Sequence, residues 1–308
     1  IVYSFIKMKK VKNILKKTIY NLEIQRYKNL NPCLISTMPK SGTWYCHYFF
    51  WTLNKILENK NFDINKYEFK SNFKIKNNHF YKKSRILIGH ASCPGYEEVK
   101  DEYKKMWHKK KYWTDGYIWV NQIIGSEYNL NTNNKLKIVY IYREPLSQFL
   151  SSFKYNQNHS AKDQAKQKKI NFRDFCLKSS AVDSYIKHLH TFKVMKIIYP
   201  DNILLVKYED LVSKPFNTFS KILYFFNVIN DDLVEKKDIE KVIRFISKDN
   251  LKKIENKMGR SLANDGNKNS HIQSYSLAEL NDYLNKDDIN KINSLFSDFN
   301  YNLNNLKI

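Results

Sequence analysis

A short polar turn, residues 39–44 with the sequence Pro-Lys-Ser-Gly-Thr-Trp, carries residue types that bind phosphate or sulfate. It combines the ammonium group of Lys40 with two hydroxyl groups and a glycine. The turn separates an apolar run at 33–37, which predicts a buried strand, from a longer run at 43–57, which predicts a core helix. Because the first N–H groups of a helix have no partner within it and carry the positive end of its dipole, this turn predicts an anion cradle. An ordinary strand-to-helix turn is the alternative interpretation.

A second polar group follows the clearest strand of the chain, residues 136–142. Arg143 comes directly after that strand, and Pro145 suits the first turn of a helix that continues through 147–153. This helix carries Ser151 eight residues after the arginine. We therefore expect both side chains near one strand-to-helix junction, where they could bind a single anion.

Two further predicted strands end in residues that can do chemistry. Residues 85–90 read as a buried strand that ends in Gly-His, which brings His90 to the ligand edge of an open α/β sheet. Residues 202–208 read as a fourth strand that ends at Tyr208. His90 could therefore contact a ligand bound at that edge. The remaining histidines are predicted to be surface or packing residues: His47, His79, His108, His159, His188, His190 and His271.

The elements that must position these residues alternate between strand and helix. This order predicts a three-layer α/β/α fold with a central parallel sheet, P-loop-like in its first turn, with the ligand at the carboxyl ends of the strands. After residue 158 the pattern predicts helices at 171–178, 180–199, 213–227, 231–246 and 247–257, and a final helical pair that opens with a capping box at 276–279. The stretch 60–84 is predicted to form loops. We expect a single domain, 1–308, with a basic amphipathic helix within 1–30 and a mobile loop at 258–275.

Composition narrows the function classes. The formal net charge of +23 comes mostly from lysines spread along the 308 residues, which favours anionic ligands rather than one polyanion-binding patch. The four cysteines are widely spaced, which indicates neither a disulfide framework nor a zinc site and favours the cytoplasm. No run reaches the ~20 apolar residues needed to span a bilayer. The basic helix could touch a membrane surface, but packing on its own domain is the commoner role for such a helix.

Three motifs in this order resemble the sulfotransferase family that uses 3′-phosphoadenosine 5′-phosphosulfate (PAPS). They are the 39–44 turn, Arg143 with Ser151, and residues 208–211 (Tyr-Glu-Asp-Leu), and they spread the resemblance over about 30–230. The resemblance implies the sulfotransferase-type fold, PAPS as co-substrate and no metal. It also implies transfer of a sulfuryl group by in-line displacement to a hydroxyl, or as second choice an amine, of a small-molecule or glycan acceptor.

The resemblance also implies roles for particular residues. The first turn would hold the 5′-phosphosulfate, Arg143 and Ser151 the 3′-phosphate, and Tyr208 the adenine. His90 would be the base, since a neutral imidazole can accept a proton near neutral pH, and Asp115, among the aromatic residues of the 100–130 stretch, is the second candidate. Lys40 would stabilise the charge that grows on the bridging oxygen as the adenosine bisphosphate leaves. The residues of the first turn to which the phosphosulfate role extends are Lys40, Ser41, Gly42, Thr43 and Trp44.

The chain departs from the family pattern at several positions. Only one threonine precedes Trp44, and Lys248 stands where the family commonly has a phenylalanine beside the adenine. The family's basic glycine segment, which closes over the 3′-phosphate, has two weak counterparts, at 258–260 and 266–268. An inactive sulfotransferase-like protein is therefore one alternative.

Two rival classes remain. A P-loop kinase or NTPase would need a glycine four residues before Gly-Lys-Ser/Thr, but here Lys40 precedes Ser-Gly and position 36 is serine. Glu209 and Asp210 could imitate the magnesium-binding acid of such an enzyme. A non-catalytic basic nucleic-acid-binding protein would bind in a strongly salt-dependent way and without regard to Lys40 or Arg143. We expect no specific nucleic-acid partner.

Overall fold

The computed structural model describes residues 30–63, 66–67, 78–81, 84–90, 93–94, 128–158, 170–178, 181–229, 234–259, 277–297 and 301. The predicted helix within 1–30, most of the predicted mobile loop, Asp115 and residues 260 and 266–268 lie outside them. The strands are β1 Asn31–Thr37, β2 Asn78–Phe80, β3 Ser84–Gly89, β4 Lys137–Tyr142 and β5 Ile203–Lys207. The α-helices are α1 Thr43–Glu58, α2 Pro145–Asn158, α3 Phe172–Lys178, α4 Ala181–Ile198, α5 Tyr208–Ser213, α6 Pro215–Phe225, α7 Lys236–Phe245, α8 Lys248–Met258 and α9 Lys286–Ser297, and Leu277–Asp282 forms a 3₁₀-helix.

The strands form one sheet in the order β2-β3-β1-β4-β5. β1 lies at its centre and pairs in parallel with β3 and β4, and β4 pairs in parallel with β5. The register sets Ser36 opposite Gly89 and Thr37 opposite Ile141. The four parallel strands therefore end at one edge of the sheet, where the residues that follow each strand can form one site.

Apolar side chains alternate between the two faces of the sheet, as strand geometry requires. In β4, Tyr140 packs on the face that α2, α3, α4 and α9 cover, whereas Ile141 packs on the face that α1, α6, α7 and α8 cover. On the first face Tyr140 stacks on Phe192 with ring centroids 4.0 Å apart. On the second, Phe49 of α1 stacks on Phe219 of α6 at 3.6 Å. The predicted three-layer α/β/α fold is confirmed.

The sheet differs from the prediction at one edge. β2 lies in the stretch predicted to form loops and pairs with β3 in the antiparallel sense, so the sheet is not wholly parallel. This strand has only three residues, which is too short for a hydrophobic period to be read from sequence. Its backbone pairs with β3, and His79 is buried with its ring 5.9 Å from those of His47 and Phe50 of α1.

The helix predicted to open at Ser213 begins instead at Pro215. Residues 208–213 form a separate short helix, α5, and Ser213 is its last residue. The Ser213 hydroxyl donates to Glu209 O at 2.7 Å, one turn back, and therefore does not cap the next helix. The predicted capping box at 276–279 includes Ser276, which lies outside the described residues, and 277–282 forms a 3₁₀-helix rather than an α-helix. None of the helices among the described residues is long and apolar enough to cross a membrane.

We expect Gly42→Ala to destabilise the protein more than Gly259→Ala. Both glycines have a left-handed backbone, with φ of 92° and 66°, so both variants carry a conformational cost of about 1 kcal/mol. A Cβ at Gly42 would also lie 3.0 Å from Tyr208 Cδ2, whereas no atom of the described residues lies within 4 Å of one at Gly259. Urea unfolding should show an additional loss of about 1–2 kcal/mol in unfolding free energy for Gly42→Ala. Equal losses of unfolding free energy in the two variants would mean that the Tyr208 ring moves aside without cost.

Candidate active site

A cavity of about 790 Å³ opens at the carboxyl edge of the parallel strands. Its volume falls within the ordinary range for small-molecule sites. Among the described residues, the predicted site residues other than Ser41 line it: Lys40, Gly42, Thr43, Trp44, His90, Arg143, Ser151 and Tyr208. The sheet therefore brings together predicted residues that lie up to 168 positions apart in the chain.

The loop between β1 and α1 has an unusual backbone. Lys40 and Gly42 both adopt positive φ angles, 66° and 92°. The first helical hydrogen bond of α1 runs from Cys46 N to Gly42 O, at 3.0 Å. The N–H groups of residues 43–45 therefore precede the helical ladder, and Thr43 and its two successors line the cavity. This is the geometry of an anion-binding helix N-terminus, as the sequence predicts.

Two side chains hold the carbonyl groups of this loop. Arg143 Nη1 donates to Lys40 O at 3.0 Å, and Gln148 Nε2 donates to Pro39 O at 2.8 Å. Gln148 also donates to Ser152 Oγ at 3.0 Å. These contacts join the loop to the start of α2, the helix that carries Ser151. Gln148 is not predicted as a site residue from the sequence, because α2 carries several polar side chains and none of them is distinguished by its local pattern.

Arg143 is itself held from two sides. The Tyr185 hydroxyl donates to the Arg143 carbonyl at 2.5 Å, and the guanidinium carbon lies 4.8 Å from the centroid of the Tyr208 ring. Arg143 Nε finds no hydrogen-bond partner among the described residues. A guanidinium is always charged and presents donors in a rigid fork, so Arg143 retains binding capacity toward the cavity.

The start of α2 is capped by an acid that lies next to Arg143. The Glu144 carboxylate accepts from Leu146 N at 3.0 Å and from Ser147 N at 2.6 Å. Glu144 N in turn donates to Glu209 Oε1 at 3.1 Å, which ties the β4–α2 junction to α5. Side chains therefore hold the backbone at Arg143 and at Glu144, the residue that follows it. Glu209 therefore accepts a backbone hydrogen bond in this fold, which differs from the magnesium-binding role considered for it.

His90 follows β3 and lines the cavity. Its Nδ1 lies 2.9 Å from Thr37 O and 3.1 Å from Thr37 Oγ1. Because a carbonyl oxygen can only accept, Nδ1 carries the proton and Nε2 is left as the basic nitrogen. Burial lowers the pKa of His90, and the Lys40 charge lowers it further, while the bond to the Thr37 carbonyl opposes the shift. His90 is therefore neutral at neutral pH, as a general base must be.

Thr37, the last residue of β1, joins the base to the anion loop. Besides its contacts with His90, its hydroxyl lies 2.5 Å from Thr43 Oγ1 at the first turn of α1. Sequence reasoning treated Thr37 only as the end of a strand, because nothing in a single hydroxyl indicates which neighbours it will meet.

Ser41 is the one predicted residue that the fold separates from the others. Its side chain is fully buried and is not part of the cavity wall. Its N–H donates to Met38 O at 3.0 Å, and its hydroxyl finds no partner among the described residues. The tight turn rotates successive side chains to opposite sides, so adjacency in sequence did not place Ser41 beside Lys40 in the site.

Tyr208 and Lys248 occupy the opposite wall. Burial raises the pKa of Tyr208, so its phenol stays protonated, and its ring packs on Gly42. Lys248 lies in the first turn of α8, where it is exposed at the rim of the cavity. Among the described residues, no group of three or more His, Cys, Asp and Glu side chains could hold a metal ion.

The fold and the site together define an α/β protein with a cavity at the carboxyl edge of its parallel strands. Cationic groups from two strand ends and a neutral histidine face one cavity. Residues 30–305 match the family model described as the sulfotransferase domain, and the chain belongs to that family. The predicted family is thus confirmed, and the kinase and nucleic-acid alternatives receive no support from the matches.

Curated relatives agree with the family over part of their length. The chain is 27% identical to "Cytosolic sulfotransferase 16" of Arabidopsis thaliana over 129 residues, which cover 41% of this chain and 38% of the relative. It is 28% identical to "Flavonol sulfotransferase-like" of Flaveria bidentis over 123 residues, 39% of each chain. The matched segment therefore spans about two fifths of the length of these relatives.

Solved structures agree with the fold over most of the chain. Mouse sulfotransferase SULT7A1 complexed with PAP superposes with a TM-score of 0.52 at 18% identity, covering 87% of this chain and 83% of that one. Retinol dehydratase in a complex with retinol and PAP gives a TM-score of 0.50 at 15% identity, covering 88% and 82%. At such identities the likeness establishes the sulfotransferase-type fold.

We expect the His90 imidazole to titrate below its ordinary pKa of 6.5 and to shift upward in Lys40→Met. Removing a nearby positive charge makes protonation of the ring easier, so the pKa must rise. NMR titration of the His90 ring protons measures both values. Lys207→Met, which removes an exposed lysine at the end of β5, serves as the control and should leave the titration unchanged. An unchanged pKa in Lys40→Met would show that the ammonium lies too far from His90 to act on it.

Proposed function

We propose that the protein is a PAPS-dependent sulfotransferase that transfers a sulfuryl group to a hydroxyl of a small-molecule acceptor. One observation carries the proposal. Arg143, which follows β4, donates to the carbonyl of Lys40, which follows β1, and both side chains line one cavity together with the neutral His90. PAPS is anionic at both ends, at the 5′-phosphosulfate and the 3′-phosphate. Membership of the sulfotransferase family supports the same donor, as does the PAP bound in the similar mouse sulfotransferase SULT7A1.

Each residue has a role in this proposal. The Lys40 loop and the first turn of α1 bind the phosphosulfate through an ammonium, N–H groups and the Thr43 hydroxyl. Arg143 and Ser151 bind the 3′-phosphate, and Tyr208 and Trp44 flank the adenine. The Ser41 hydroxyl takes no part, because it does not line the cavity.

The transfer needs one base and one cation from the protein. His90 Nε2 accepts the proton of the acceptor hydroxyl as that oxygen bonds to sulfur. The bond from sulfur to the bridging oxygen breaks, and its electron pair stays on the departing adenosine bisphosphate. Lys40 stabilises the negative charge that grows there. Thr37 keeps the basic nitrogen of His90 toward the cavity by holding the other one.

The proposal extends to the setting of the enzyme. We infer a single domain that works in the cytoplasm. Two observations support this location: relatives are named cytosolic, and the four cysteines are free and buried. Small-molecule acceptors are preferred over glycans because the cavity volume of about 790 Å³ lies in the ordinary range for small-molecule sites.

Thermal unfolding with adenosine 3′,5′-bisphosphate tests the donor site directly. A ligand at ~100 times its dissociation constant adds about 2.7 kcal/mol to the stability of the folded state. In a domain of this size that should raise the midpoint by several degrees. ATP with magnesium is the comparison ligand. Stabilisation by ATP with magnesium alone would favour a kinase, and stabilisation by neither would overturn the donor assignment.

The same experiment with Arg143→Ala locates the 3′-phosphate. The variant should lose most of the stabilisation by adenosine 3′,5′-bisphosphate but little of that by adenosine 5′-monophosphate, which lacks the 3′ group. Arg244→Ala, which removes an exposed guanidinium on α7, is the matched control and should behave as the wild type. Equal losses for the two nucleotides in Arg143→Ala would remove Arg143 from the 3′ subsite.

His90→Gln tests the base. The amide keeps much of the size of the ring but cannot accept the proton, so turnover should fall by about 10²–10⁴-fold while the bisphosphate binds as before. Transfer of labelled sulfate from PAPS to a panel of phenols, steroids and flavonols measures turnover, and calorimetry measures binding. Unchanged turnover with any accepted substrate would rule out His90 as the base.

A further inference from the structure

We propose that Tyr155 is a positioning residue that holds the Lys40 ammonium at the cavity wall through the face of its ring. The Lys40 Nζ atom lies 3.6 Å from the centroid of the Tyr155 ring, well inside the ~6 Å range of cation–π attraction. Both residues line the cavity. The contact between the two residues is independent of the proposed function. The role of the Lys40 ammonium in binding the donor rests on that function.

Tyr155 comes from the helix that organises this wall. On α2, Gln148, Ser151 and Tyr155 follow one another at spacings of three and four, so they share one face of the helix. All three line the cavity. Gln148 holds the loop backbone, Ser151 lies in the predicted anion subsite, and Tyr155 meets the lysine side chain. One helix face therefore sets the loop, the hydroxyl and the cation relative to one another.

The backbone from which the Lys40 side chain extends is already fixed. Its φ of 66° is a conformation that side-chain-bearing residues rarely adopt, and Arg143 engages its carbonyl. The four-carbon stem beyond this point is flexible, and ordering it costs rotamer entropy. The Tyr155 ring restricts the ammonium to one region before any ligand arrives.

An aromatic face suits this task because it carries no formal charge. A carboxylate at the same place would neutralise the ammonium and would have to be displaced by an anionic ligand. The attraction of a ring for a cation is weaker than a charge-assisted hydrogen bond to a phosphosulfate, so an incoming donor can compete with it. Tyr155 therefore positions the Lys40 charge without neutralising it.

The contact can be tested without a ligand. Reductive methylation with ¹³C-formaldehyde labels the lysines, and the Lys40→Arg variant identifies the Lys40 signal by its loss. In the wild type and in Tyr155→Phe the Lys40 methyl signal should be displaced upfield by the ring current. In Tyr155→Leu it should move to the position of solvent-exposed lysines. An unmoved signal in Tyr155→Leu would overturn the proposal.

A double-mutant cycle on binding then tests the role. Measured by calorimetry with PAPS, Tyr155→Leu should weaken binding by about 5-fold, and Tyr155→Phe, which keeps the ring, should restore it. In a Lys40→Met background, Tyr155→Leu should have no further effect. An equal loss in both backgrounds would show that Tyr155 acts on the ligand rather than through Lys40. Failure of the wild type to bind PAPS would overturn the proposed function, and the methyl signal would still decide whether the ring holds the lysine.

Discussion

The guanidinium of Arg143 is the interaction on which the rest of the site depends. It donates to the backbone of the β1–α1 loop, packs on the ring that begins α5, and extends from the junction of β4 and α2. Three of the four parallel strands therefore meet at one charged group. A guanidinium suits this position because its planar fork can donate to a carbonyl on one side and keep donors for a ligand on the other. The close approach of Tyr208 then requires that residue 42 have no side chain.

The charge of Lys40 affects both the anion loop and the candidate base. The Lys40 charge that would attract an anionic donor is the same charge that helps to lower the pKa of His90 and so keeps the ring neutral. Cation and base thus support each other: an anion site beside a histidine would otherwise favour the protonated ring, which cannot act as a base. Thr37 completes the arrangement by fixing the tautomer of the histidine and contacting the hydroxyl of Thr43. His90 and the anion loop are consequently both tied to the end of β1.

The described wall of the cavity is asymmetric. α2 supplies a face of polar and aromatic residues, whereas α7 and α8 supply apolar side chains and, at the rim, Lys248. A planar base is expected on the apolar side and phosphate groups on the polar side, since each group then meets a surface of matching character. Lys248 replaces an aromatic side chain with a cation at the edge of that apolar wall. A lysine stem can still cover a ring while its ammonium stays in water, so the replacement changes the character of the rim more than its shape.

Much of the architecture could be predicted from the sequence alone. The apolar runs before Lys40, His90, Arg143 and Tyr208 identified all four parallel strands to within one or two residues, because buried strands and the turns that follow them have strong local signals. What only the tertiary structure decided was which neighbours meet. The pairing of β2, the burial of Ser41, the capture of the loop by Gln148 and the Lys40–Tyr155 contact each join residues through space. The sequence around a hydroxyl, an amide or a phenol does not show which way its side chain points. Its partner is decided only when strand register and helix packing bring the two residues together.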